Sequence, residues 1–246
     1  MSTGLASNMH IKTQARAAVP PSLADQVYTH VKNELFDLAL LPGDAFAEAD
    51  IVAVTGVSRT PVRQALQRLA REGFVQVTSR SGWRVRPFDF ERFEQLYDLR
   101  IVLELAAVAR LCKQPELVQS PAIEALLQAW GVAPHQRLPV GRDAALLDEA
   151  FHCTLVEATG NMEMAAVHRD VTEKISIVRR LDFTKQARID STYDEHGAIL
   201  QAILKRREAE ACSMLKAHIE VSKAEVRKIT IHNLHTTRAS YSSRSI

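Results

Sequence analysis

Residues 56–74 read GVSRTPVRQALQRLAREGF, a stretch with the features of a turn followed by a helix. Gly56 supplies the permissive backbone that a tight turn requires, and Ser58 is placed to cap the free amides at the start of the helix. Pro61 falls in the first helical turn, where a missing N–H is tolerated and a fixed φ is favourable. The stretch therefore predicts a turn-helix unit around which the N-terminal region is organised.

This predicted helix has two distinct faces. The apolar positions that recur at helical spacing, and so face a core, are Val62, Leu66 and Leu69. The polar positions that recur on another face are Arg59, Arg63 and Gln67. A guanidinium can donate two hydrogen bonds to guanine, and a glutamine amide can pair with adenine. The polar face therefore suits a DNA major groove, although its spacing is also typical of an amphipathic helix with a solvated basic face.

Local charge favours the DNA-binding interpretation. Between residues 59 and 86 the sequence has seven arginines and one acid, Glu72, a formal charge of +6, whereas the whole chain carries +2. Such asymmetry is the electrostatic footprint of a phosphate-binding surface. Residues 47–54 predict the preceding helix of a helix-turn-helix, and residues 75–77 and 83–85, which flank SRSG, predict a two-stranded wing.

These residues resemble the winged helix-turn-helix of the GntR family of bacterial transcription regulators. The resemblance rests on PGD at residues 42–44, on GVSRTPVRQALQRLAREGFV from Gly56 onward and on SGWRV at residues 81–85, and it covers about residues 23–88. The family often has a basic residue near the start of the first helix of this motif. This chain has Glu48, Ala49 and Asp50 there, so one DNA contact of the family is expected to be missing. The residues that we expect to contact DNA are Ser58, Arg59, Thr60, Arg63, Gln64 and Gly82.

The length of 246 residues is too great for one small DNA-binding module and favours two domains. We predict a mostly α protein with a winged helix-turn-helix and an all-helical bundle. Its parts are a flexible tail (1–20), the DNA-binding domain (21–88), an effector-binding and dimerisation domain (89–232) and a second flexible tail (233–246).

The sequence offers no signal for a membrane or for secretion. No apolar run approaches the ~18 residues that a membrane helix needs, and the N-terminus lacks the apolar segment of a secretory signal. The three widely spread cysteines suit reduced thiols better than a disulfide framework. We therefore expect a cytoplasmic protein that does not bind membranes.

The second region is predicted to be a bundle of about six helices, because leucine, alanine and valine recur at helical spacing beyond Pro87. Bundles place ligand sites between facing helices. The predicted helices cover residues 90–112, 122–130, 143–159, 162–181, 186–205 and 207–231, and in the first domain a capped helix covers residues 23–38.

Four residues of this bundle have the character of a metal site. Asp148 and His152 are four residues apart in LDEAFH, so their side chains lie one turn apart on the same helix face. His196 and His218 lie on two other predicted helices, where the apolar spacing directs them inward. Three imidazoles and a carboxylate suit a divalent transition metal such as Zn, Ni, Fe or Mn. The alternative is that these are core histidines, each satisfied by one hydrogen bond.

Residues 89–232 resemble the FCD type of effector domain, found in the FadR subgroup of the same family. The resemblance rests on the aspartate–histidine pair, on GN at residues 160–161 after it, on the two later histidines and on an R-x3-E pattern in LRIVLE. It implies that the metal ligands are Asp148, His152, His196 and His218. Arg100 of the R-x3-E pattern is expected to bind a small carboxylic acid effector, with an ion pair to Glu104 as its alternative role.

Other polar residues of the bundle are expected to lie outside the ligand set. Cys153 is about 100° around the helix from its histidine neighbour. Glu149 and Glu195 adjoin ligands in the sequence but are expected to point away, and His168 has no partner at ligand spacing. Of two further arginines, 179 and 180, either is a weaker candidate to face the cavity, and periodicity does not choose between them.

The sequence therefore predicts a transcriptional repressor, not an enzyme, that binds a two-fold DNA operator and responds to a small carboxylic acid. We expect a homodimer, because two recognition helices about one DNA turn apart read a palindrome. One alternative is a metal-dependent hydrolase or oxygenase fused to a DNA-binding module, although no general base is evident near the ligands. Another is a regulator without metal that senses a larger acyl ligand.

Overall fold

The N-terminal unit contains helices α1 (Leu23–Phe36), α2 (Glu48–Thr55) and α3 (Arg59–Glu72), and strands β1 (Ala45–Ala47), β2 (Val75–Val77) and β3 (Gly82–Val85). The structure is a computed structural model that describes residues 20–78, 82–226 and 228. The two predicted tails lie outside these residues, apart from Pro20.

Local sequence signals define the ends of these helices. Ser22 starts α1 with a capping box, in which the amide of Asp25 donates to Ser22 Oγ (3.1 Å) and the amide of Ser22 donates to Asp25 Oδ2 (3.2 Å). Gly56 ends α2 in the left-handed region, with φ of 67°, as the predicted turn requires. Ser58 precedes α3 but makes no side-chain capping hydrogen bond, so the predicted cap is wrong and its exposed hydroxyl is left for another partner.

The core of this unit forms where α1 packs across α3. Its central side chains have no exposed surface, and they are Val31, Leu35, Val62, Leu66 and Leu69. Burial of one such side chain contributes about 1.5–3 kcal/mol. The apolar stripe predicted from the sequence is therefore confirmed as the buried face of α3. Trp83 packs into the same core and is 3% exposed.

The wing is a three-stranded antiparallel sheet in the order β1-β3-β2, and the prediction of two strands was incomplete. β1 pairs with β3 with Ala45 opposite Arg84. A tight turn brings β1 into place, because Gly43 has φ of 93° and the amide of Leu41 donates to Asp44 Oδ2 at 2.9 Å. Three residues are too few to show an alternating pattern, and β1, unlike the equally short β2, is not joined to its partner strand by a short turn that would mark it in the sequence.

The C-terminal unit is the predicted helical bundle. Its helices are α4 (Phe90–Lys113), α5 (Pro115–Val118), α6 (Pro121–Trp130), α7 (Arg142–Glu157), α8 (Met162–Asp182), α9 (Gln186–Leu204) and α10 (Glu208–Val226). The one-turn helix α5 was not predicted. α4 is central, because it packs against α7, α8, α9 and α10. Among the described residues, no helix is long and apolar enough to cross a membrane.

The two units meet where α1 contacts α8. Asp37, which follows the last residue of α1, accepts hydrogen bonds from two arginines of the bundle. Arg180 Nη1 lies 2.8 Å from Asp37 Oδ1, and Arg142 Nη1 lies 2.8 Å from Asp37 Oδ2. We call these three residues the Asp37 junction. Ile177 of α8 belongs to the hydrophobic core of the N-terminal unit, so the contact is apolar as well as ionic.

Candidate metal centre and nucleic-acid interface

The bundle brings together the four residues predicted as metal ligands. Asp148 and His152 lie on α7, His196 on α9 and His218 on α10, and all four are buried. One potential ligand atom from each lies within 4.8 Å of the others. Asp148 Oδ1 is 3.6, 3.5 and 3.9 Å from the Nε2 atoms of the three histidines, taken in chain order. Three helices therefore direct one oxygen and three nitrogens at a common point.

These atoms fit a metal ion better than a closed network of hydrogen bonds. Asp148 Oδ1 and His152 Nε2 are buried and have no hydrogen-bond partner among the described residues. A buried polar atom without a partner typically costs about 1–3 kcal/mol. The Nε2 atoms of His196 and His218 face each other at 3.2 Å. A cation at the point of convergence would satisfy all four groups, and a set of three nitrogens and one oxygen suits Zn, Ni, Fe or Mn.

The protonation states favour metal binding. Burial would raise the pKa of Asp148, but the guanidinium of Arg179, together with His152 and His196, holds that pKa well below its usual value. Burial lowers the pKa of His152 to about 4, with a smaller effect from the charge of Arg100. Burial and the adjacent His218 hold the pKa of His196 well below its usual value. Near neutral pH the carboxylate is therefore ionised and these two imidazoles are neutral, the forms that bind metals.

Two glutamates contact the Nδ1 atoms of two candidate histidine ligands, on the side of each ring that faces away from the cluster. Glu104 Oε2 lies 2.6 Å from His152 Nδ1, and Glu195 Oε2 lies 2.5 Å from His218 Nδ1. The expectation that Glu195 points away from the ligands is wrong, because its position on α9 directs its carboxylate toward His218 of α10. Carboxylates in such positions fix the tautomer and the ring orientation of a metal-binding histidine. Glu149, by contrast, contacts none of the four candidate ligands in any described hydrogen bond.

Glu104 connects more groups than the sequence indicated. Its Oε1 lies 2.6 Å from Arg100 Nε and 2.9 Å from His168 Nε2, while its other oxygen contacts His152. Burial would raise the pKa of Glu104, but the charge of Arg100 and the two histidines hold it well below its usual value. His168 was set aside because it has no partner at helical spacing. Its partner lies 64 residues away, a separation that periodicity cannot detect.

The ring of His196 is held by aromatic packing. It stacks on Phe151, with ring centroids 3.6 Å apart and planes 7° apart, and it meets the edge of Trp130 at 4.2 Å. Trp130 is 4% exposed, as expected of a core residue. This packing restricts the ring to one plane before any ligand arrives.

Two buried arginines adjoin the cluster. Arg100 forms the ion pair with Glu104 that was its alternative role, and its buried Nη2 has no hydrogen-bond partner in the part of the chain that the structure describes. Arg179 pairs with Asp148 Oδ2, and its buried Nη1 likewise has no partner there. Arg180, the next residue, pairs with Asp37 and so belongs to the Asp37 junction. The structure thus decides that Arg179, and not Arg180, faces the cluster.

A recess in the surface of the bundle reaches one of the candidate ligands. It has a volume of about 240 Å³ and lies beside His218 and Glu195. The rest of its lining is Ile199, Met214, Ala217 and Val221. Cys153 lies outside the ligand set, and burial raises the pKa of its thiol to about 11, so it is a neutral thiol near neutral pH.

Five of the six residues expected to contact DNA are exposed at the start of α3. They are Ser58, Arg59, Thr60, Arg63 and Gln64. Gly82 begins β3, at the end of the wing that adjoins the undescribed residues 79–81. Arg63 donates two hydrogen bonds to Glu48, which lies 15 residues earlier on α2, a separation that helical periodicity cannot detect.

Comparison with known proteins gives matches over both units. Residues 23–85 match the model of the family described as bacterial regulatory proteins, gntR family, and residues 95–221 match the FCD domain. The Nta operon transcriptional regulator of Aminobacter aminovorans is 30% identical over 180 residues, which cover 73% of this chain and 82% of that protein. The HTH-type transcriptional repressor RspR of Escherichia coli is 22% identical over 229 residues, 92% of this chain and 97% of the relative.

Solved structures show the same fold. Escherichia coli McbR/YncC has a TM-score of 0.66 with 19% sequence identity, and the match covers 85% of this chain and 98% of that one. A putative GntR regulator from Rhodococcus sp. RHA1 has a TM-score of 0.65 with 22% identity, covering 84% and 98% of the two chains.

Proposed function

Since the chain belongs to the gntR family of bacterial regulatory proteins and carries an FCD domain, it is a DNA-binding transcriptional regulator, and we propose that it is a metal-dependent sensor of a small carboxylic acid. The observation that carries the proposal is the buried cluster of one aspartate and three histidines. The relatives of this chain are transcriptional regulators, so we do not propose that it is a metal-dependent hydrolase or oxygenase. We infer that the regulator is a repressor.

The proposed metal ligands are Asp148, His152, His196 and His218. Glu104 and Glu195 would orient two of these histidines from behind. A bound divalent transition metal supplies positions that carboxylate oxygens can occupy. Arg100 would bind the same anion through its buried Nη2, which has no partner within the described part of the chain. Arg179 offers a second guanidinium of the same kind beside Asp148.

The proposed DNA-binding surface consists of the exposed start of α3 and the wing. A homodimer would present two such surfaces to a two-fold operator, because one recognition helix alone binds weakly. The acid can alter operator binding only if it has different affinities for two arrangements of the protein. The Asp37 junction supports a route between the sites, because it ties the end of α1 to α7 and α8, the helices that carry Asp148 and Arg179.

The test is a thermal-melt screen of the purified protein against mono-, di- and hydroxy-carboxylic acids, with and without prior chelation of metal. A ligand at a hundred times its Kd stabilises the folded state by ~2.7 kcal/mol, which shifts the melt measurably. We expect at least one acid to stabilise the protein only when metal is present.

The matched control is His135→Asn, which changes an exposed histidine outside the cluster, compared with His196→Asn inside it. We expect the first variant to keep the metal-dependent shift and the second to lose it. If chelation leaves both the melt and every acid response unchanged in the wild-type protein, the metal-dependent sensor is ruled out, and the regulator without metal becomes the better interpretation.

A further inference from the structure

Glu48 occupies an unusual place for an acid. It is the first residue of α2, directly beneath the surface that is proposed to bind DNA, and it is 3% exposed. A buried carboxylate beside DNA would repel phosphates and lose hydration unless its charge were neutralised. Its location in the first turn of a helix offsets only part of that cost.

Arg63 neutralises Glu48 in a two-point contact. Arg63 Nε lies 2.9 Å from Glu48 Oε1, and Arg63 Nη2 lies 2.8 Å from Glu48 Oε2. The indole Nε1 of Trp83, on wing strand β3, lies 3.4 Å from the same Oε1. The hydrogen bond from Arg63 holds the pKa of Glu48 below its usual value, against the opposing effect of burial. One carboxylate therefore joins α2, α3 and the wing.

The stereochemistry of the contact leaves one edge of the guanidinium free. A guanidinium has five N–H groups in a planar fork, and the side edge formed by Nε and Nη2 is used by Glu48. The end edge, formed by Nη1 and the second N–H of Nη2, makes no hydrogen bond to any described residue. The side chain of Arg63 is 52% exposed, so this end edge is accessible from solvent. Two parallel N–H groups on one edge match the O6 and N7 atoms of guanine.

We propose that Glu48 is a positioning residue that holds Arg63 with its end edge toward the DNA, so that Arg63 reads a guanine. The inference rests on the proposed binding of an operator by this surface and adds a source of sequence specificity to it. A free arginine adopts many rotamers and can contact phosphates as readily as bases. An arginine that is fixed by a buried carboxylate loses less conformational entropy when it binds a base, and it is less available to the phosphate backbone.

The proposal predicts opposite effects of Glu48→Gln on two kinds of DNA. Loss of the negative charge should leave binding to random-sequence DNA unchanged or make it tighter, because that binding is electrostatic. Binding to the preferred sequence should weaken, because Arg63 is no longer held. The ratio of the two affinities should therefore fall about tenfold or more. A residue that only stabilised the fold would weaken both kinds of binding together.

The experiment uses the full chain. A preferred sequence is first selected from a random duplex library with the wild-type protein, and Kd is then measured at one salt concentration for that sequence and for random DNA. The variants are Glu48→Gln, Arg63→Ala, Arg59→Ala and the two double variants that contain Glu48→Gln. Arg63→Ala alone should lower the affinity ratio roughly 5- to 150-fold.

The double variants separate positioning from structure. In the Arg63→Ala background, Glu48→Gln should change the ratio less than about twofold, because the residue through which it acts is gone. In the Arg59→Ala background most of its effect should remain, since Arg59 is exposed, has no hydrogen bond to Glu48 and makes the smallest contribution to the lowered pKa of Glu48. If the Glu48→Gln variant does not fold, Glu48→Asp, which keeps the charge, is used in its place. Glu48→Asp should retain more specificity than Glu48→Ala.

Three results would overturn the proposal. If wild-type protein selects no sequence from the library, the proposed operator binding fails and Glu48 has no such role. If a sequence is selected but Glu48→Gln keeps the wild-type ratio, only the role of Glu48 fails. If Glu48→Gln lowers the ratio equally with and without Arg63, Glu48 acts on specificity by some other contact.

Discussion

Glu104 is the residue with the most consequential set of contacts in the bundle, since one buried carboxylate meets Arg100, His152 and His168. We expect Glu104→Gln to lower metal affinity about 10- to 100-fold, because His152 loses the acceptor that fixes its ring and raises its basicity. Competition with a chromophoric chelator measures this affinity. Glu124→Gln, an exposed glutamate on α6, is the control and should bind metal like the wild type. Equal affinities for both variants would contradict a role for Glu104 behind the ligand.

Asp148 is a candidate metal ligand, and it also forms an ion pair with the buried guanidinium of Arg179. In Asp148→Asn the guanidinium of Arg179 would stay buried without a counter-charge, and breaking a buried pair in this way costs about 3–5 kcal/mol. We therefore expect a large loss in the free energy of unfolding even when the protein contains no metal. Urea denaturation after exhaustive chelation measures it, with the exposed Asp143→Asn on the same helix as the control. A loss below ~1 kcal/mol would show that Arg179 finds another acceptor.

The candidate site was predictable from the sequence only in part. The four ligand positions follow from one helical pair, two inward-facing histidines and the resemblance to the FCD domain. The partners that hold them do not, because Glu104 meets His152 and His168 across 48 and 64 residues, and Asp148 meets Arg179 across 31. No periodicity within a helix reports such separations. Glu195 was misjudged for a related reason: the sequence does not say which neighbouring helix lies beside its face of α9.

At the scale of elements, α8 connects the two units of the chain. Two adjacent residues point in different directions from it, Arg179 toward Asp148 and Arg180 toward Asp37. Consecutive positions on a helix differ by about 100°, so one helix can contact the cluster and the N-terminal unit at the same level. A small rotation of α8 would change both contacts together.

We expect Asp37→Ala to reduce the effect of the acid on operator affinity, because Arg142 and Arg180 lose the acceptor that they share next to α1, although Arg142 keeps its hydrogen bond to Asn33. The measurement is the ratio of operator Kd values with and without the stabilising acid. Glu34→Ala, in the last turn of α1, is the control, since no described side-chain contact is lost. Coupling of this kind is typically 5- to 150-fold, so a ratio that stays at the wild-type value in Asp37→Ala would exclude the junction as the route.

The elements themselves were predicted well where their apolar pattern is long. The end of α1 was placed two residues beyond Phe36, while the bundle helices from α6 to α9 agree with the expected ranges to within two residues at each end; the expected end of the last helix, at residue 231, lies outside the described residues. β1 and α5 were not predicted because three and four residues carry too little pattern on their own; β2 is equally short but was predicted from the SRSG turn beside it. The pairing of β1 with β3 depends on the turn before it, which is a tertiary property.

For the whole molecule, charge is distributed unevenly along the chain. The segment from residue 59 to residue 86 has a formal charge of +6, and the chain as a whole has +2, so the rest carries a net negative charge. We expect operator affinity to fall steeply with salt, by about three orders of magnitude between 50 and 200 mM if about six phosphates are neutralised. Fluorescence anisotropy at several salt concentrations gives the slope, which should be smaller in Arg59→Ala. A flat dependence would contradict phosphate binding by this surface.

The order of the units along the chain has a consequence for a protein that is being synthesised. The N-terminal unit is complete by about residue 88, whereas the last candidate ligand, His218, lies about 130 residues later. At a typical elongation rate of about 5–20 residues per second, roughly 7 to 26 seconds separate the two events. Each newly made chain therefore passes through an interval in which the DNA-binding unit can already fold while the proposed metal site has not yet been translated, so that metal would bind only near the end of synthesis or after it.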